Sequence, residues 1–174
     1  MPALGKNENE FLFLYVPISR FLIMGILSMG LYGAYWIYKN FQYLKNRDSL
    51  SIIPFVRAIF SVFYCHDACK AIRYDKELNL YKPSHFTHYL GDVWALLMII
   101  SAIVPILVIR VILVVIGFLC LIPVQKYINQ ANQMKNPTVN YYPWSTGHII
   151  VIIFSLLFWV IVIVGIISPG YFKI

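Results

Sequence analysis

Acidic residues are scarce. The chain has seven Asp and Glu in 174 residues, and none lies inside a long apolar run. Charged residues of both signs make up only 12%, about half the share of an ordinary soluble domain, while 60% are hydrophobic. That excludes a conventional soluble enzyme and points to a membrane protein. Cysteine is equally sparse. Cys65, Cys69 and Cys120 are odd in number and Cys120 lies in an apolar run, so a disulfide framework is not expected. No G-x-S-x-G, P-loop or G-x-G-x-x-G stretch is present, and Asn136-Pro-Thr138 is blocked as a glycosylation acceptor by its proline. The first apolar run lacks a basic stretch before it and an A-x-A-like site after it, so it is expected to stay as an anchor rather than be cleaved.

Lysine and arginine give a net charge of +7. They sit in connectors between apolar spans, with no RNA- or DNA-binding pattern beside them, so nucleic acid is not an expected partner. Retention of Lys and Arg on the cytoplasmic side of a membrane accounts for them. A length of 174 residues suits one integral membrane domain over 1–174.

In chain order, Phe11–Val16 is apolar but too short to span, and Pro17 ends it. It is expected at the membrane surface or packed on a bundle. Phe21–Tyr38 is uncharged between Arg20 and Lys39, and reads as the first span. Gly25, Gly30, Gly33 and Ala34 offer small surfaces for helix packing, and Tyr35, Trp36 and Tyr38 read as interfacial anchors.

The stretch Gly30-Leu-Tyr-Gly-Ala-Tyr-Trp-Ile-Tyr-Lys-Asn40 resembles the first span of a family of small uncharacterised bacterial inner-membrane proteins, with its Gly-x-Tyr-Gly-x-Tyr-Trp-x-Tyr core running into Lys-Asn. Pro123–Asn129 and the last span, with Phe158-Trp159 before Gly165, add to the resemblance, which covers about a third of the chain. It implies a bacterial inner-membrane location and a helical bundle. The family has no settled activity, so it implies no mechanism.

Residues 54–74 start with Pro54, a residue suited to a first helical turn. Their apolar part is only Ala58–Cys65, flanked by Arg57, His66, Asp67, Lys70 and Arg73. A span would bury several charges at roughly 2.5–3.5 kcal/mol each. An amphipathic helix, interfacial or re-entrant, costs less, with Arg57, Lys70 and Arg73 facing anionic lipid headgroups or a partner.

Trp94–Gln125 carries one charged residue, Arg110. As one helix it would run roughly 48 Å, against a bilayer core of about 30 Å. Pro105 and the absence of an acidic partner for Arg110 favour a helical hairpin, with Arg110 snorkelling at its outer end as an interfacial anchor. Trp144 marks another interface before the last span.

The expected fold is therefore all-α, a polytopic bundle with four spans (21–40, 88–104, 106–126, 148–168) and the 54–74 helix. Connector 39–90 has eight basic residues, and 126–147 adds Lys126 and Lys135. Both fall on one side, which places both termini outside the cytoplasm. The expected function is non-enzymatic: an accessory, scaffold or partner-binding subunit, with lipid, a membrane-protein partner or a second copy as its contacts, and no cofactor. One alternative is a component of a small oligomeric channel or transporter. A second is a membrane enzyme or metal-binding protein using Cys65, His66, Cys69, His85 and His88; the candidate metal ligands are Cys65, Cys69, His85 and His88.

Overall fold

The structure, a computed structural model, describes residues 11–80, 87–138 and 140–167. Helix accounts for 78% of these residues, with no strand among them. The helices are α1 (Ile18–Leu27), α2 (Leu31–Asp48), α3 (Pro54–Ile59), α4 (Ser61–Arg73), α5 (Lys76–Leu80), α6 (Leu90–Ile103), α7 (Leu107–Lys135) and α8 (Thr146–Ile167). Among the described residues, two helices are long and apolar enough to cross a membrane, Leu107–Lys135 and Thr146–Val164.

The stretch 21–40 is not one helix. It breaks at Ser28-Met29-Gly30, where Met29 and Gly30 both take positive φ, 48° and 97°. The Ser28 hydroxyl closes the turn, donating to Gly25 O (3.3 Å) and accepting from Tyr32 N (2.8 Å). The chain then folds back on itself. Phe21 and Trp36 have ring centroids 6.1 Å apart; in a continuous helix they would stand about 22 Å apart along the axis. Leu14 N reaches Asn40 Oδ1 at 3.0 Å, so both ends of the α1–α2 hairpin lie together. Gly30 is thus a turn residue. Gly25 and Gly33 remain packing positions, since a Cβ on either would come within 2.4 Å of the Phe118 or Trp94 ring.

The hairpin expected at Pro105 is present. α6 stops at Ile103, Val104 and Ile106 are extended, and α7 starts at Leu107. Arg110 does more than reach for headgroups. Its Nε donates to Val104 O (2.6 Å) and its Nη2 to Ala102 O (3.0 Å), satisfying carbonyls that the end of α6 leaves open. Charged hydrogen bonds of this kind contribute on the order of 2 kcal/mol. Arg110→Gln is therefore expected to lower the unfolding midpoint in detergent and loosen the turn; an unchanged midpoint would return Arg110 to a simple surface anchor.

α8 runs along the α1–α2 hairpin. Near its start, Tyr35 Oη and Ser145 Oγ are 2.8 Å apart, and Arg20 lies over the Trp144 ring. Eleven residues into the helix from His148, Trp159 Nε1 donates to Leu27 O (2.8 Å) at the tip of α1. Residues 54–74 form α3 and α4, bent at Phe60. They expose Phe55, Ile59, Phe60 and Phe63 and bury Cys65, Ala68, Cys69 and Ile72.

The centre of the core is the segment 11–16. Every one of its side chains is buried, at 7% exposure or less, although it forms no regular secondary structure. An irregular chain in the interior has peptide groups that must find partners. Four carboxamides supply them, because each side chain both donates and accepts. Asn132 Oδ1 accepts from Leu12 N (2.8 Å) and Asn40 Oδ1 from Leu14 N (3.0 Å). Gln125 Nε2 donates to Leu14 O (2.9 Å), Asn129 Nδ2 to Val16 O (2.8 Å) and Asn132 Nδ2 to Phe13 O (3.4 Å). Tyr142 N completes the set on Tyr15 O (2.7 Å). Gln125, Asn129 and Asn132 share one face of α7 by their i, i+4, i+7 spacing.

Candidate functional site

The carboxamides are themselves held. Trp36 Nε1 donates to Gln125 Oε1 (2.7 Å), Gln125 Nε2 also donates to Asn129 Oδ1 (2.8 Å), and Asn40 Nδ2 donates to Trp36 O (2.9 Å). Trp36 is fully buried, which removes it as an interfacial anchor. Its neighbours keep wetter positions. Tyr35 and Tyr38 are half-buried and Trp144 is exposed. The segments 30–40 and 123–129, which carry much of the family resemblance, contribute Trp36, Asn40, Gln125 and Asn129 to this cradle.

Outside the cradle, α2, α3 and α8 leave an open trough. One part, about 450 Å³, is lined by Ala34, Tyr38, Phe55, Ala58, Gly147 and Ile150 among others, and is almost wholly apolar. A second part of about 450 Å³ runs to the hairpin tips, past Met29, Gly30, Met98 and Phe158 to Arg110. The two share Leu31, Ala34, Ala58 and Ile59, so they form one continuous surface. Small residues form part of its walls, where another backbone or chain can approach closely. Gly30 and Ala34 were expected from sequence as packing positions; Ala58 and Gly147 were not, and the packing of α3 and α8 against α2 brings them to the same surface.

A different cavity, about 810 Å³, opens between the end of α2 and α4–α5, and is lined by charges of both signs. Arg47 organises it, donating to Asp48 (2.8 Å) and Asp75. Its guanidinium loses water by burial, yet the hydrogen bonds to Asp48 and Asp75 hold it above its usual range. The Arg47 hydrogen bond in turn holds the Asp48 carboxyl below the usual carboxylate range. With Asp75 N-capping Leu78 N (3.0 Å), these are ion pairs that fasten α5 to α2.

The basic residues expected to meet lipid or a partner are placed unequally. Arg57 lies over the Phe41 and Tyr64 rings, at 4.4 and 5.2 Å. Lys70 is exposed and Arg73 half-buried. Of the sulfur and imidazole candidates, Cys65 and Cys69 are buried together on one face of α4, turned away from solvent. His66 pairs instead with Asp92. His85 lies outside the described residues. Among the described residues, no group of three or more His, Cys, Asp or Glu converges on a point.

Burial, with help from the neighbouring Cys69 thiol, pushes the Cys65 thiol well above its usual range. Both the burial and the shift disfavour the thiolate that alkylating reagents need. In the folded protein at pH 8, Cys65 and Cys69 are expected to resist a water-soluble maleimide that labels them at once in denaturant; mass spectrometry reads the difference. A raised thiol contributes stability fully below the unfolded thiol pKa of about 9 and loses it as pH rises further. Alkaline pH is thus expected to speed labelling by favouring unfolding.

Comparisons with protein-family models, with curated proteins and with solved structures find no match.

Proposed function

We propose that this chain is a small, multi-pass protein of the bacterial inner membrane that works by binding, as an accessory or scaffold subunit, and that its trough seats a transmembrane helix of a partner. The observation that carries this reading is the trough between α2, α3 and α8, apolar at its core and walled partly by small residues. Chemistry or transport needs polar groups aimed at a substrate, whereas helix association in a bilayer needs close backbone approach. The exposed faces of α6, α7 and α8, rich in Ile, Leu and Val, suit acyl chains around the rest of the bundle. Lys70, Arg73 and the basic connectors suit the anionic headgroups of the cytoplasmic leaflet.

The fold-back of α1 on α2 supports a revised sidedness. Phe13, Arg47, Asp75, Glu77 and Lys135 gather at one end of the bundle, and the basic residues there assign that end to the cytoplasm. The α1–α2 hairpin is then re-entrant, and α8 carries the chain across once more, so the two ends of the described chain lie on opposite sides.

Photo-crosslinking from position 58 tests the partner. The expected result is one protein adduct at fixed stoichiometry, lost when Ala34→Phe fills the trough. Adducts to lipid alone would contradict it.

A further inference from the structure

α4 and α6 touch backbone to backbone. A Cβ on Gly91 would lie 2.7 Å from Cys65 O and 3.0 Å from His66 Cα, so the two helices are held as close as peptide chains allow. This contact fixes what lies on either side of it at the surface. His66 follows Cys65 on α4, and His88 and Asp92 flank the start of α6. His66 Nδ1 and Asp92 Oδ2 are 2.9 Å apart. The His66 and His88 ring centroids are 5.3 Å apart, with their planes at 80°. Tyr89 stacks on His88 at 4.3 Å and Tyr74 stands 5.8 Å from it, so the His88 ring is braced on two sides.

We infer that His66 and His88 form a surface site for a divalent late transition-metal ion, zinc or a close relative, that pins α4 to α6. Imidazole nitrogens bind zinc at about 2.0–2.1 Å, which sets each ring centre about 3.2 Å from the metal. Two such rings at a tetrahedral angle stand about 5.2 Å apart, close to the separation seen here. Asp92 accepts the Nδ1 proton of His66. That leaves Nε2 with its lone pair, and a carboxylate behind a histidine is the arrangement that orients and strengthens a metal ligand. The His66 side chain is 31% exposed, so the ion enters from water and waters fill its remaining positions. Cys65 and Cys69 face the core and take no part.

Titration of the full chain in nanodiscs with Zn²⁺ tests this, read by calorimetry and by the NMR shifts of labelled histidine rings. One Zn²⁺ per chain is expected to bind saturably and to move the His66 and His88 ring signals. His66→Gln and His88→Gln should each weaken binding at least tenfold. Asp92→Asn, which removes only the supporting carboxylate, should weaken it about tenfold. Absence of saturable binding would overturn the site, as would Zn²⁺ binding to the native chain without shifts at His66 and His88. Affinity unchanged by both histidine substitutions would overturn it too.

Discussion

Replacing Gln125 by leucine is expected to destabilise the protein by about 4 kcal/mol, through two buried groups left without partners. Leucine fills a similar volume, so the effect is one of hydrogen bonding rather than packing. Gln125 accepts from the Trp36 indole and donates to Leu14 O, both deep in the core. Each stranded group loses its water on folding and gains nothing in return, at about 1–3 kcal/mol apiece. A typical domain has about 5–15 kcal/mol in all, so the change approaches global unfolding. Gln133 lies on the same helix but is exposed, and Gln133→Leu is expected to be nearly neutral. Equilibrium unfolding in mixed micelles measures the difference. If the two substitutions behave alike, the carboxamides do not hold segment 11–16 as described.

The second large effect is expected at Gly91. In Gly91→Ala the new methyl meets Cys65 O at 2.7 Å, Cys65 C at 2.9 Å and His66 Cα at 3.0 Å. All three are main-chain atoms, so no rotamer change relieves the clash and α4 must move off α6. Overpacking of this kind costs about 1–3 kcal/mol, with the upper end expected where backbone is the obstacle. Separation of the helices also pulls His66 from Asp92. Loss of that contact, read from the His66 ring signal, should accompany the fall in stability. Gly147→Ala makes a useful contrast, because the atoms nearest its methyl all belong to the Tyr35 side chain. It should cost less, since the ring can shift.

The hairpin at Pro105 was legible in sequence for a simple reason: a proline, a lone arginine and an apolar run far longer than a bilayer is thick all point to a break. Helix through 54–74 was legible too, from Pro54 and from charges that a span would have to bury. The fold-back at Gly30 was not. Phe21–Tyr38 has the length and composition of a span, and its glycines read as packing residues. Only the positive φ of Met29 and Gly30 and the meeting of Phe21 with Trp36 turn it into a hairpin. The cradle had a faint signal, the i, i+4, i+7 carboxamides after Pro123 and an apolar segment too short to span. Its partners are separated by more than 100 residues, from Leu12 to Asn132 and from Leu14 to Gln125, so neither segment announces the other. The sidedness expectation depended on the same reading of 21–40. With 21–40 as a crossing, residue 11 and Lys39 would stand at opposite ends of that segment; the fold-back brings Leu14 to Asn40 instead.

The return of the α1–α2 hairpin to the side where it started is therefore the claim on which the cradle, the trough and the topology all rest. Topology reporters fused ahead of Met1, after Lys135 and at the C-terminus measure it directly. The first two are expected to report the cytoplasm and the third the opposite side. A first reporter on the side opposite Lys135 would restore 21–40 as a true span and contradict the account.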